Sequence, residues 1–124
     1  MTSQGHPQAR LRRALASGNP LLVRAAAAEL THVELDDALA ICVVLLDSEP
    51  ERYEPAAVRF LGRLLIERRG LTLADAELAA SCLAGLGHGR GDPRSALALA
   101  KLCEQAALVR AARALRGRHE ASPG

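Results

Sequence analysis

Aromatic residues are almost missing from this 124-residue chain. They make up 2% of the sequence, with Tyr53 and Phe60 the only rings. Because single-stranded nucleic acid is usually bound by stacking its bases on aromatic side chains, this scarcity argues against such a surface. Strand-favouring residues are scarce, whereas Ala and Leu dominate and favour helices. The composition therefore predicts an all-α fold, and the length fits a single domain.

Cysteines and long apolar runs are also few. Cys42, Cys82 and Cys103 lie far apart among Ala, Leu and Val, and no CxxC pair or Cys–His cluster gives zinc spacing. We therefore expect buried free thiols, no metal and a reducing, cytoplasmic compartment. The longest apolar runs, such as residues 38–46, are too short to cross a bilayer, and residues 1–9 lack the apolar core of a signal peptide. We expect no membrane association.

Proline, glycine and capping residues divide the chain into about six helices. Ser17-Gly18-Asn19-Pro20 ends the first helix and caps the second, and Asp92-Pro93 opens the last. The apolar spacing predicts helices over 7–16, 20–30, 35–46, 55–69, 73–86 and 93–115. The short connectors predict three stacked antiparallel hairpins. The expected divisions are a disordered lead over 1–6, a single domain over 7–116 and a disordered tail over 117–124.

A phrase of the sequence occurs twice. The spacing P-x-x-V-R, with a Leu six residues later, is found at Pro20, Val23, Arg24 and Leu30, and again at Pro55, Val58, Arg59 and Leu65. A second phrase follows each copy, at Val33, Leu35, Asp37 and Ala38, and at Leu71, Leu73, Asp75 and Ala76. A two-helix repeat of roughly 35 residues is typical of solenoid proteins.

Residues 14–30 resemble a HEAT repeat, in which a small-residue turn is followed by Asp or Asn, Pro, and Val-Arg-x-x-Ala-x-x-x-Leu. The resemblance is clear in residues 14–47, partial in 55–86 and weak in 92–116. It implies a HEAT- or armadillo-like right-handed superhelix, or a compact bundle built from the same hairpins.

The resemblance also implies structural roles for the repeated positions. Val23 and Val58 would pack inside their hairpins. Arg24 and Arg59 would be partly buried between neighbouring repeats and would hold them together. Their preferred acidic partners would be Asp37 and Asp75.

No catalytic or cofactor-binding set stands out. No histidine is paired with another ligand at helical spacing, and the histidines are His6, His32, His88 and His119. Glycines alternate over residues 85–91, before the last helix. However, no strand precedes them and no Lys-Ser/Thr closes them, so we do not expect a phosphate-binding loop. We expect no enzymatic activity and no cofactor.

Arginines gather on the first helix and at the end of the last helix. The candidate binding surface consists of Arg10, Arg13, Arg110, Arg113 and Arg116. Because positive side chains also complement the dipole at a helix C-terminus, a solvated face is the plainer interpretation. The expected function is a small non-enzymatic module that binds another protein or a second copy of itself. Nucleic-acid binding through the arginine faces is the alternative.

The end of the last helix is the part that we expect to pack weakly. Residues after Val109 are mostly Ala and Arg, which favour a helix but bury little apolar area. We therefore expect this end to pack loosely or against a second copy, and truncation after Arg110 to cost little stability.

Overall fold

The described residues form seven helices and no strand, which confirms the all-α prediction. The computed structural model describes residues 5–88 and 92–121, with side chains described for 6–88 and 92–118. The helices are α1 Gly5–Ser17, α2 Pro20–Ala28, α3 Leu35–Ser48, α4 Pro50–Glu67, α5 Leu73–Leu86, α6 Pro93–Gln105 and α7 Val109–Ala121. Parts of the predicted lead, glycine loop and tail lie outside the described residues, at 1–4, 89–91 and 122–124.

Several helix boundaries are set by local capping chemistry. Gly18 has a positive φ of 72° after α1. Asn19 caps α2, because its side-chain oxygen accepts a hydrogen bond from the Leu21 amide at 3.0 Å. Thr72 and Asp75 form a reciprocal capping box at the start of α5. These side chains satisfy amides that the helix itself leaves unpaired, which allows short connectors.

Helix α4 begins at Pro50 rather than at Pro55, so most of the connector between the predicted helices over 35–46 and 55–69 is helical. Pro50 occupies the first position, where a missing amide has little effect. Pro55 lies inside the helix, and its ring nitrogen has no hydrogen to donate to the Glu51 carbonyl one turn earlier. The helix continues through it, with the side chain of Pro55 exposed.

The side chains of α4 that face the core differ from those that the repeated phrase predicts. Ala57 and Phe60 are buried, whereas Val58 is 63% exposed. In the first copy of the repeated phrase, Val23 is 1% exposed. The prediction that Val58 packs inside its hairpin is therefore wrong, and the two copies of the phrase do not occupy equivalent positions.

The predicted last helix is in fact two helices, α6 and α7. Between them, Ala107 has a positive φ of 64°. The Leu108 amide donates to the Cys103 carbonyl at 2.7 Å, and the Ala107 amide donates to the Glu104 carbonyl at 3.1 Å. This pair of hydrogen bonds is a Schellman motif, which ends a helix and turns the chain. The motif usually has Gly where this chain has Ala107, so no glycine or proline marks the break in the sequence.

Helix α7 packs into the core, contrary to the predicted weak packing after Val109. It lies against both α6 and α3. It also continues to Ala121, so residues 117–121 of the predicted tail are helical. Truncation after Arg110 would remove part of the core, so the structural reason for expecting it to be harmless is wrong. The side chains around the start and middle of α7 that are at most 2% exposed are Leu108, Ala111, Ala112 and Leu115.

Helices α3 to α7 close a ring around one core. Each packs against the next along the chain, and α7 returns to pack against α3. Their buried side chains form one cluster, with Phe60 and Leu115 among the largest. The α1–α2 hairpin has a smaller cluster of its own, which rests on α3 through Ile41 and Val44. In a linear stack of three hairpins, the last helix would not pack against α3. The contact between α7 and α3 therefore makes this part of the chain a closed bundle.

Candidate functional site

The arginines of the predicted binding surface lie on α1 and α7 and differ in their surroundings. Arg10 and Arg116 each pair with an exposed glutamate of the chain. Arg13 and Arg113 are exposed and have no ion pair with a described side chain. The surface is therefore partly neutralised by the protein's own carboxylates, and its binding role stays a prediction.

Arg110 is the centre of an ion-pair network that joins the start of α7 to the start of α3. Its guanidinium nitrogens lie 2.9 Å from Glu34, 3.6 Å from Asp36 and 3.1 Å from Asp37. Asp36 also accepts a hydrogen bond from the Ala111 amide at 2.7 Å, and so satisfies an unpaired amide in the first turn of α7. These contacts give Arg110 a structural role, and its part in the predicted binding surface stays a prediction.

Asp37 is the buried carboxylate of this network. Removal from water raises its pKa above the ordinary value, and this is the largest influence on it. The guanidinium groups of Arg110 and Arg12 oppose that rise, while the nearby Glu34 and Asp36 add to it. Asp37 therefore takes up a proton more readily than an exposed aspartate does.

The two repeat arginines are not equivalent in the structure. Arg24 is half-buried and lies 3.4 Å from Glu49. Arg59 is exposed. The predicted partners, Asp37 and Asp75, are wrong, because Asp37 pairs with α7 and Asp75 caps its own helix.

An apolar groove between α4 and α5 is the feature that sequence analysis missed. Its volume is about 550 Å³. Helix α4 contributes Ala57, Val58 and Leu61 to its lining, and α5 contributes Ala80 and Ala84. A volume of this size lies within the range of protein binding sites, and this lining provides apolar contact with few polar groups.

One end of the groove is shaped by a close approach of Gly87 to Tyr53. A Cβ atom at Gly87 would come 2.9 Å from the Tyr53 ring, so a larger residue would displace the ring. The Tyr53 hydroxyl donates a hydrogen bond to the Leu83 carbonyl at 2.7 Å, which fixes the ring between α4 and α5. Burial raises the pKa of Tyr53, so the phenol stays protonated and remains a donor.

Exposed apolar side chains lie on both helices, within the groove lining and beyond it. On α4, Val58 and Leu65 are 63% and 41% exposed and lie seven residues apart, on one face of the helix. On α5, Leu73 is 89% exposed and lies seven residues before Ala80. Exposed apolar side chains beside an apolar groove are typical of an interaction site.

The cysteines are free and buried, as predicted. Burial raises the pKa of the Cys42 and Cys103 thiols to about 12, so these groups stay protonated and are weak nucleophiles. Among the described side chains, no group of three or more His, Cys, Asp or Glu residues is arranged to hold a metal ion. Within the same part of the chain, no helix combines the length and apolar character that a membrane span needs.

Comparison of the chain with protein-family models, curated proteins and solved structures finds no match. The groove between α4 and α5 and the ion pairs around α1 and α7 are therefore the features on which a function can be argued. Of these, the groove is the one whose side chains remain uncovered.

Proposed function

We propose that this chain is a small non-enzymatic module that binds another protein, and that the groove between α4 and α5 receives an amphipathic helix of that protein. The supporting observation is that apolar residues of both helices that line the groove, such as Val58 and Ala80, are exposed to solvent. Covering apolar surface contributes about 25 cal/mol for each Å² removed from water. A partner that fills the groove would gain this free energy.

A helix fits the length and spacing of the groove. The α4 residues of its lining run from Pro50 to Leu61, which is about 17 Å along the helix axis. A partner helix of about three turns would cover that length. Its side chains at positions i, i+3 or i+4, and i+7 would enter the groove, as in other complexes of a helix with a groove. The Tyr53 hydroxyl is already bonded to Leu83, and Glu54 and His88 are the other polar side chains of the lining, so the groove offers few polar groups to orient a small polar ligand.

Nucleic-acid binding through α1 and α7 has less support. Arg110 contacts three carboxylates, and Arg10 and Arg116 each pair with one. A phosphate group would have to compete with these carboxylates, so each contact would contribute less to affinity than a contact from an unpaired arginine.

We also propose that the HEAT-like resemblance describes the α1–α2 hairpin and its packing on α3, while the remaining helices form a compact bundle. The support is that Val23 and Ala26, in the first copy of the repeated phrase, are buried. In the second copy, Val58, which corresponds to Val23, is exposed. A reducing compartment such as the cytoplasm would suit three free cysteines.

The test is a selection from a displayed library of short amphipathic helices against the wild-type protein and two variants. Ala80→Trp fills the groove with an indole. Ala74→Trp adds the same ring to an exposed position of α5 outside the groove lining and serves as the matched control. We expect helices with apolar residues at i, i+3 or i+4, and i+7 to be enriched on the wild type and on Ala74→Trp, and to be lost on Ala80→Trp.

Two results would contradict the proposal. One is enrichment that survives Ala80→Trp, and the other is no enrichment of helices on the wild type. Titration with duplex and single-stranded oligonucleotides at low and raised salt tests the alternative. Salt-dependent oligonucleotide binding without helix enrichment would favour nucleic-acid binding instead.

A further inference from the structure

We infer that the partner helix is basic, and that its arginine or lysine residues pair with Glu51, Glu54 and Glu77 beside the groove. The inference rests on the proposed function, because it specifies the partner of the same groove. The evidence for it is that the carboxylates without a partner lie beside the groove.

Within the described part of the chain, nearly every carboxylate already has a partner or a capping role. Each one either forms an ion pair with an arginine or caps a helix, except Glu51, Glu54 and Glu77. The capping residues are Asp75 and Asp92. The exceptions are thus concentrated on the two helices that form the groove.

The unpaired glutamates share the faces of the groove lining. Glu51 and Glu54 precede Val58 on α4 by seven and four residues, and Glu54 itself lines the groove. Glu77 precedes Ala80 on α5 by three residues. Because residues three, four and seven apart lie on one face of a helix, carboxylates flank the apolar lining on both of its sides.

The basic residues of α4 do not neutralise this edge. Arg63 pairs with Glu67 at 2.8 Å within the helix, and Arg52 lies 3.7 Å from Glu49. Arg59 comes five residues after Glu54, so it lies on a different side of α4, and it is not part of the groove lining. The edges of the groove are therefore acidic on a chain whose net charge is +2. Such an edge attracts and orients a basic helix and repels an acidic one.

The test uses three synthetic peptides with one apolar stripe and different polar faces, which carry Arg and Lys, Gln, or Glu. Binding is measured by fluorescence anisotropy. We expect the wild type to bind the basic peptide most tightly and the acidic one most weakly. The triple variant Glu51→Gln/Glu54→Gln/Glu77→Gln should bind the basic peptide about tenfold more weakly and the neutral peptide as before.

A matched control changes the net charge by the same amount away from the groove. The control is the triple variant Glu29→Gln/Asp47→Asn/Glu104→Gln, whose carboxylates are exposed. It should keep the affinity for the basic peptide. Raised salt should weaken the binding of the basic peptide to the wild type and leave the binding of the neutral peptide unchanged.

The outcomes separate the inference from the proposed function. If the wild type binds the basic and neutral peptides equally well, the basic partner is ruled out and the groove keeps its role. If the control variant loses as much affinity for the basic peptide as the groove variant does, net charge is responsible and the inference is overturned. If no peptide binds the wild type, both the inference and the proposed function fail.

Discussion

The guanidinium group of Arg110 lies 3.1 Å from Oδ1 of Asp37, although 73 positions separate the two residues in the sequence. The contact joins the start of α7 to the start of α3, and so closes the ring of helices from α3 to α7. Closing a long loop costs more chain entropy than closing a short one. Contacts such as this one, together with the burial of Leu115, must offset that cost.

Replacement of Arg110 by alanine should destabilise the fold. Asp37 would be left buried without its cation, and the loss should be about 2 kcal/mol, between the values for exposed and buried ion pairs. Urea unfolding followed by circular dichroism measures it. Arg63→Ala is the control, because it removes an ion pair within one helix and should cost about 0.5 kcal/mol or less. Equal losses in the two variants would show that Asp37 does not depend on Arg110.

The contribution of Asp37 to the stability of the fold should depend on pH. Burial raises its pKa above the ordinary value of 3.8, so the folded protein binds a proton there more readily than the unfolded chain does. Asp37 therefore favours folding below pH 3.8, and this contribution is lost as the pH rises through the raised pKa. We expect the free energy of unfolding of the wild type, minus that of Asp37→Asn, to fall as the pH rises through this window.

Glu67 serves as a control, because its contribution to stability should change with pH in the opposite direction. A hydrogen bond from Arg63 lowers the pKa of Glu67, so its contribution to stability is present above the ordinary pKa and is lost as the pH falls through the lowered one. The difference between the wild type and Glu67→Gln should therefore rise with pH. Unfolding by urea at a series of pH values measures both differences, and slopes of the same sign would show that the environment of Asp37 is misassigned.

Helix ends were predictable from the sequence where their chemistry is local. Asn19 caps α2 and Thr72 caps α5 through side chains that reach no more than three residues along the chain. The break between α6 and α7 was not predictable in this way, because Ala107 adopts the conformation that usually marks a glycine. The start of α4 was misplaced because both Pro50 and Pro55 are suited to a first helical position, and only the packing of the core distinguishes them.

The groove was missed because the repeated phrase assigned Val58 to the inside of a hairpin. A second apolar stripe on α4, at Tyr53, Ala57, Phe60 and Leu64, is buried instead. That stripe has complete helical spacing, so counting both stripes would have left Val58 and Leu65 as surplus apolar residues on an outer face. The pairing of Arg110 with Asp37 depends on the return of α7 to α3, and no local pattern in the sequence specifies it.

Leu115→Ala should test whether α7 belongs to the core. Leu115 is fully buried, so its truncation should destabilise the protein by about 3 kcal/mol, which is typical of a large-to-small core substitution. The control is Arg113→Ala, an exposed position of the same helix, which should change stability by about 0.5 kcal/mol or less. Urea unfolding measures both. A small effect at Leu115 would restore the earlier expectation of a weakly packed end.

Ala107→Gly should stabilise the protein. The positive φ of 64° costs a residue with a Cβ atom roughly 1 kcal/mol, whereas glycine adopts it readily. Ala107 is exposed, so the substitution removes no buried side chain. Part of the gain is offset by the greater entropy of glycine in the unfolded chain, and we expect a net stabilisation of about 0.5 kcal/mol, measured by thermal and urea unfolding.

The same substitution inside a helix gives the matched control for Ala107→Gly. Ala114 is exposed on α7, and Ala114→Gly should destabilise the protein by about 1 kcal/mol, because glycine is a poor helix former. The two substitutions are chemically identical and differ only in the backbone conformation at the site. If Ala107→Gly destabilised the protein as much as Ala114→Gly, residue 107 would be helical. In that case α6 and α7 would be one continuous helix, and Leu108, Ala111 and Leu115 would share a face with Lys101 and Glu104, which are exposed on α6.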